Sequence, residues 1–472
     1  MAVANGRRRP PAKLAEQVAQ RIEDDIRAAG WPVGRNLGSE TDLLDRYGVS
    51  RAVLREAVSL MEFLGVARMR RGPGGGLFVT VPDQSAMVTA VTVYLAYRSA
   101  TLSDVVQARL PVEVLAARLA AERRNEEEID LLRARMAWEQ SRPVSDPWVL
   151  HDLVAAMSGN PALELMVNIL SRITVMQPPS DLAGRLSHKR QSEVPTAHRT
   201  LVDAIAAGDP ESAAKRMQRH LDAVRSGLGQ QRFDPSMLFG DGSADTDGRK
   251  LAASVASKVF SDVVEMGWPV GELLGSEADL IERYQVSRAV LREANRLLEF
   301  HRVVRTQRGV GGGIFVSAPD EMATTDALAV YLDSRGVTAQ QVFEVREAVE
   351  LANVDLAAFS LGKAEIGVLT ETLVEEMSAP AEALNTSAHV LHLRIAEMTG
   401  NRVIVLFLHC LTRLTEHHAY TPEEGFPMTL EDAASTVARA HASIVKAIAA
   451  GDAEAAKRRM QRHLRAVPGL LR

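Results

Sequence analysis

Nine residues of this chain occur twice. Val49–Ala57 reads VSRAVLREA, and Val286–Ala294 repeats it letter for letter at an offset of 237 in a chain of 472. Other pairs keep that offset: Trp31-Pro-Val-Gly34 with Trp268-Pro-Val-Gly271, Gly38-Ser-Glu40 with Gly275-Ser-Glu277, and Arg109 and Glu113 with Arg346 and Glu350. Further on the offset drifts, as loop insertions cause. Gly159-Asn160 matches Gly400-Asn401 at 241, and Met217–Leu221 matches Met460–Leu464 at 243. A period this long lies far outside the roughly 20–50 residues of a solenoid repeat. The chain therefore reads as one unit duplicated in tandem.

Composition narrows the class. Apolar residues make up 46% and mean hydropathy is −0.06, which suits a soluble protein with real cores. Aromatics at only 4%, with Ala, Leu, Val, Glu and Arg dominant, favour helices. The single cysteine, Cys410, excludes a disulfide framework and a Cys-based zinc finger, and fits a reducing cytoplasm. No charge-free apolar run reaches the about 18 residues a membrane span needs. Arg7-Arg8-Arg9 precedes Pro10-Pro11 and a polar helix, so the N-terminus reads as a basic arm and not as a secretion signal. The net charge is −5, yet residues 1–82 hold 13 Lys+Arg against 9 Asp+Glu, and residues 249–319 hold 10 against 8. Two mildly basic modules in an acidic body suit local contact with a polyanion.

Each half divides into a head and a body. The first head, residues 10–82, opens with a helix from about Pro11 to Ala29, apolar at Leu14, Val18, Ile22 and Ile26. Ser39 caps a short second helix, Gly48 supplies a turn, and Ser50 caps a third helix that ends near Gly65. Val66–Arg70 and Leu77–Val81 read as two strands around a glycine-rich tip. Helix, turn, helix and hairpin make a winged helix-turn-helix. The second head spans 249–319. The bodies, 98–229 and 324–472, read as all-helical bundles, joined by a linker at 230–248 rich in Gly, Asp and Ser. The fold class is thus mainly α, with two winged heads each followed by a helical bundle.

The repeated helix carries the chemistry. Arg51 and Arg55, like Arg288 and Arg292, stand four apart on one face. A helix fits the major groove of DNA, and arginine reads guanine through O6 and N7. Ser50 at the helix start can hold a phosphate together with the free N–H groups there. Leu54, Val58, Leu60 and Met61 face the head's own core. The bland alternative is a solvated arginine pair on an ordinary amphipathic helix. The turn glycine, the serine cap, the basic hairpin with Arg68, Arg70 and Arg71, and the duplication favour DNA. The glycine-rich tip has no following Gly-Lys-Ser/Thr and is not a P-loop.

The pattern Gly-Ser39-Glu40, Gly48-Val-Ser-Arg51, Leu54-Arg55-Glu-Ala57 and Gly-Gly-Gly76-Leu-Phe-Val79 resembles the DNA-binding head of the GntR family of bacterial transcriptional regulators. The helical body is similar to the effector domain of its FadR subfamily. The resemblance covers almost the whole chain, twice. It implies DNA contact at Ser39, Ser50, Arg51, Arg55, Arg71 and Gly72, and at Ser276, Ser287, Arg288, Arg292, Arg308 and Gly309. Thr41 and Ala278 stand where the family often has a basic residue, a departure that touches one contact per head. In the second head Gln285 replaces Gly48, and His301 stands for the helix-ending Gly65.

Each body holds three histidines in matching places: His151, His198 and His220, then His392, His441 and His463. Imidazoles from three helices of a bundle can converge on a divalent metal, although a single helical histidine is more often structural. The resemblance adds an Asp four residues before the first histidine as a fourth ligand, and here Pro147 and Ala388 occupy that place. A three-histidine site, completed by water or an effector carboxylate, with zinc favoured, is the expectation. Arg109 and Arg346 precede Glu113 and Glu350 by four, which reads either as a surface pair or as an anchor for an acidic effector.

The expected function is a ligand-responsive, sequence-specific DNA-binding regulator, a repressor by family habit. It is an internal pseudo-dimer on two half-sites, responding to a small carboxylate or acyl effector. A metal-dependent enzyme using the histidine triplets is the rival from another class. No His-Glu-x-x-His or Gly-x-Ser-x-Gly motif supports it, so the chain is not expected to be an enzyme. An effector-free architectural DNA binder is a second rival, disfavoured by the large apolar bodies.

Overall fold

The computed structural model of the chain describes residues 14–141, 148–175, 188–228, 238, 248–307, 309, 311–380, 389–418 and 429–470. Arg7–Arg9, Asp146-Pro147, most of the 230–248 linker, Arg308 and Ala388 lie outside the described residues. The structure is mainly helical and falls into two compact units.

The first unit holds Met1–Met87 and Asp326–Gly336. It contains α1 (Leu14–Ala28), α2 (Glu40–Tyr47), α3 (Arg51–Phe63), β1 (Ala67–Arg70) and β2 (Gly76–Val79). Helix α1 buries Val18, Ile22 and Ile26, spaced four apart, against Leu43, Leu54, Met61, Leu77 and Val79. Leu14, expected on that stripe, opens the helix and stays 55% exposed. Ser39 caps α2 in a reciprocal box with Asp42, and Ser50 caps α3 by accepting from the Val53 N–H. Gly48 takes φ 65 between them, the left-handed turn that sets one helix across the other. The wing is an antiparallel hairpin, Ala67 opposite Val79 and Arg70 opposite Gly76. Val330 joins this core, and Asp333 accepts from Arg27 at 2.8 Å. Both belong to α14 (Glu321–Ser334), the helix that follows the second head in the chain.

The second unit holds Val88–Thr325 and Val337–Arg472. Its winged head consists of α11 (Gly248–Glu265), β3 (Leu273–Gly275), α12 (Glu277–Tyr284), α13 (Arg288–Phe300), β4 (Val304–Gln307) and β5 (Gly313–Val316). Here the wing is three-stranded, in the order β3-β5-β4, because Leu273 pairs with Phe315. In the first wing the corresponding contact is a single bridge from Asn36 to Phe78. Helix α4 (Gln84–Tyr97), which fell between the expected domains, packs Val93, Ala96 and Tyr97 on this second head. The Tyr97 ring meets Trp268 edge-on at 5.4 Å.

Two glycine substitutions in the second head show how it keeps its shape. Gln285 adopts φ 53, the same left-handed turn as Gly48, and its side-chain amide donates to the Glu282 carbonyl. The residue that ends α13 in the left-handed region is Arg302, at φ 55, and not His301. The 237-residue offset places Arg302 opposite Gly65, whose φ is 70, whereas His301 falls opposite Leu64 and is an ordinary helix end at φ −89. Left-handed geometry costs a side-chain-bearing residue about 1–2 kcal/mol, so the backbone is conserved at a price in stability.

The first body contains α5 (Leu102–Arg123), α6 (Glu126–Ser141), α7 (Trp148–Met157), α8 (Pro161–Val175), α9 (His188–Ala207) and α10 (Pro210–Leu228). Helix α9 starts ten residues before the expected His198 and takes in Pro195. The second body contains α15 (Ala339–Ser360), α16 (Lys363–Ser378), α17 (Val390–Thr399), α18 (Arg402–His418), α19 (Leu430–Ala449) and α20 (Ala453–Leu470). The two bodies meet through the repeated Gly-Asn pairs. Asn160 caps α8 by accepting from the Ala162 N–H at 3.0 Å, and its amide donates to the Gln341 carbonyl at 2.9 Å. Asn401 does the same for α18 and donates to the Asp104 carbonyl at 3.1 Å. Among the described residues no helix is long and apolar enough to cross a membrane.

Candidate nucleic-acid interface and metal centre

The reading helices present their arginines outward. Arg51, Arg55, Arg288 and Arg292 are exposed, while Leu54 and Leu291 turn inward and are buried. Of the residues expected to face the first head's core, Leu54, Val58 and Met61 are buried and Leu60 is partly buried. Ser50 and Ser287 stand at the N-terminal ends of α3 and α13, each with its hydroxyl oxygen accepting a helix N–H. Ser39 and Ser276 are engaged in their capping boxes.

Carboxylates that the sequence reading passed over sit beside these arginines. Glu40 accepts from Arg55 Nε at 3.1 Å, and Glu277 holds Arg288 through Nε and Nη2, both at 3.0 Å. The same glutamate therefore pairs with a different arginine in each head. Its signal in the sequence was its place in the repeated Gly-Ser-Glu triplet.

The wings place Arg71, Gly72 and Gly309 at exposed tips. Gly72 and Gly309 both have φ 102. A Cβ on Gly75 would stand 2.5 Å from the Arg70 carbonyl oxygen, so the tip closes only around glycine. Arg70 lies over the Phe78 ring at 4.4 Å and Arg305 over Phe315 at 4.8 Å.

Inside the bodies the histidines converge as expected. His392 on α17, His441 on α19 and His463 on α20 bring their Nε2 atoms within 3.1–3.2 Å of one another. In the first body His151, His198 and His220 offer ligand atoms within 4.8 Å, with the Nε2 atoms of His198 and His220 3.4 Å apart. Nitrogens about 2.0–2.1 Å from a tetrahedral zinc stand about 3.3 Å from each other, so the second triplet, and the His198–His220 pair of the first, match such an ion.

The rings are aimed by carboxylates. Glu350 meets His392 Nδ1 at 2.7 Å and Glu376 meets His441 Nδ1 at 2.8 Å. Glu113 bonds His151 Nδ1, and Glu139 bonds His198 Nδ1 at 2.9 Å. Such outer partners fix the tautomer that leaves Nε2 bare toward the centre. Burial holds His151, His220, His392 and His463 below the usual imidazole range, which keeps them neutral and able to ligate.

Arg109 and Arg346 are not surface residues. They are 5% and 6% exposed, and each ties the orienting glutamate in place: Arg109 Nε to Glu113 at 2.5 Å, and Arg346 Nε to Glu350 at 3.1 Å. Burial pushes both carboxyls up, but the neighbouring Arg and His hold Glu113 and Glu350 down at about 2. Thr174 and Thr415 accept from the same arginines. These threonines repeat at an offset of 241 and Glu139 and Glu376 at 237, so the repeat itself held the signal that could have found them.

Comparison with known proteins matches the two bodies and the first head. The FCD domain matches residues 104–223 and 341–466, and the family of bacterial regulatory proteins called gntR matches residues 14–79. The uncharacterized HTH-type transcriptional regulator YcbG of Bacillus subtilis is 29% identical over 217 residues, 45% of this chain and 88% of YcbG. The HTH-type transcriptional repressor NanR of Citrobacter rodentium is 28% identical over 242 residues, 48% of this chain and 91% of NanR. The solved structure of Streptococcus agalactiae GntR matches 45% of this chain and 99% of its own length at 22% identity, with a TM-score of 0.32.

Proposed function

Because the chain belongs to the FCD domain family and opens with a gntR-family head, we propose that it is a ligand-responsive transcriptional regulator, built as a tandem duplication of a FadR-type unit. One polypeptide supplies both reading helices, so it acts as an internal pseudo-dimer on an operator of two half-sites. It works in the cytoplasm as a repressor, as NanR is named to be. The observation that carries this reading is the pair of identical exposed arginine faces, Arg51 and Arg55 with Arg288 and Arg292, on Ser-capped helices of two winged heads.

In this reading Arg51, Arg55, Arg288 and Arg292 reach base edges, while Ser39, Ser50, Arg71 and Gly72 and their counterparts Ser276, Ser287, Arg308 and Gly309 position the heads on phosphates. The bodies bind a small carboxylate or acyl effector near Arg109 or Arg346. The six histidines hold divalent metal, with zinc favoured by the nitrogen ligands. A bound ion would supply a positive centre for an effector oxygen. The chain's own groups hold the rings neutral, orient them and keep water out. Effector and DNA affinities are coupled reciprocally.

DNA recovered by the full chain from a random-sequence pool gives the operator. Arg55→Ala weakens binding to it by about 10- to 100-fold, since a bidentate base contact is worth about 1–3 kcal/mol. Arg292→Ala weakens it by the same factor or less. All are compared at one stated salt concentration, because phosphate contacts depend on it. Unchanged footprints in both variants would sink the reading.

A further inference from the structure

A cavity of 490 Å³ lies in the second unit between α9 and α10. Lys215, Arg216 and Arg219 line it, and among the described lining residues none is acidic. None of the three has an ion pair or hydrogen bond with a described residue. Three like charges within about one turn of a helix repel each other unless something offsets them, and a concave wall focuses their field. Val194, Ala197 and Val224 form an apolar wall in the same cavity. The combination suits a charged head with a short hydrocarbon part.

His220 links this cavity to the first triplet. Its Nε2 faces His198 at 3.4 Å, and the same residue lines the cavity. The other two histidines of the triplet give Nδ1 to Glu113 and Glu139. For His220 Nδ1 no partner stands among the described residues. A ring that ligates through one nitrogen almost always donates from the other.

We propose that the cavity binds a small organic anion, a carboxylate or phosphate with a short apolar body, whose head rests on Lys215, Arg216 and Arg219 and accepts from His220 Nδ1. Among the described residues the second body differs at the corresponding place. Arg459, opposite Arg216 at the offset of 243, donates to the backbone carbonyl of Ser443, which stands opposite Thr200. That bond ties α20 to α19 where the first body has its cavity, whose lining includes Arg216 and Thr200. The basic positions themselves persist in the second body as Arg458 and Arg462. The site stands without the DNA reading, since its occupancy is measured on the free protein.

The test uses the full chain and 8-anilinonaphthalene-1-sulfonate, a fluorescent anion with an apolar ring system. It saturates at one per chain, and hexanoate or inorganic phosphate displaces it, the more effective competitor naming the head group. Lys215→Glu with Arg219→Glu weakens it at least ten-fold, as does the milder Lys215→Gln with Arg219→Gln, while Arg458→Glu with Arg462→Glu leaves it unchanged. Both positions in the first pair are exposed on α10, and an unchanged thermal midpoint verifies the fold. Binding that survives the first two variants, falls equally in the third, or resists both competitors overturns the proposal.

Discussion

At the scale of single residues, the histidines illustrate how burial turns a common side chain into a ligand. His441 has Nδ1 fixed by Glu376 and Nε2 within 3.2 Å of two other imidazoles. Three lone pairs held that close repel unless a cation or proton lies between them, and burial disfavours the proton on His392 and His463. Zinc-supplemented purification therefore gives two zinc ions per chain by atomic absorption, and His392→Ala gives one. Glu376→Gln keeps the ligands but loses the charged orienting partner, which weakens one site by about 10- to 100-fold against a competing chelator. A chain that takes up no stoichiometric metal would rule the centres out.

At the scale of elements, the two heads reach one backbone geometry from different residues. Gly48 and Gln285 both end the second helix in the left-handed region, at φ 65 and φ 53. Gly pays no Cβ penalty there, and Gln pays about 1–2 kcal/mol. Gln285→Gly accordingly raises the opening free energy of amides in α12 and α13 by about 1 kcal/mol, read by hydrogen exchange on the corresponding peptides. Gly48→Gln lowers that of α2 and α3 by a similar amount. Unchanged exchange in both variants would mean that the turn is not what limits the heads. The sequence made the swap at 285 visible. It misled at 301, because the register at the end of α13 is fixed by which residue turns left-handed, and Arg302 does so at φ 55.

At the scale of the whole molecule, the Gly-Asn pairs join local and long-range order. Asn160 uses its oxygen to cap α8 and its nitrogen to reach the Gln341 carbonyl and Glu344 of the other body. Removing it costs a cap and the bonds that cross to the other body. Asn160→Ala lowers the stability of the chain by about 1–3 kcal/mol in a denaturant titration. Asn160→Ser restores the cap but not the crossing bond and recovers only part of the loss. Full recovery by serine would confine the residue's role to its own helix. Arg123 reinforces the same junction by an ion pair to Glu344 at 2.9 Å.

What the sequence determined by itself was whatever repeats or is local. The recurrence of VSRAVLREA, the serine caps and the glycine turns specify the winged heads through contacts a few residues long, and the 3.6-residue apolar period specifies the helical bodies. The six histidines could be picked out because repetition singled them from twelve. The tertiary structure alone decided the rest. Arg109 and Glu113 look like a surface pair in one dimension, since spacing of four is the same on a wet face and a dry one. Only packing on all sides shows that they are buried and that Glu113 aims His151. Likewise α4 and α14 look like connectors, and only the cores they enter show that each helps build a head. Burial and convergence depend on residues far apart in the chain, and no periodicity encodes them.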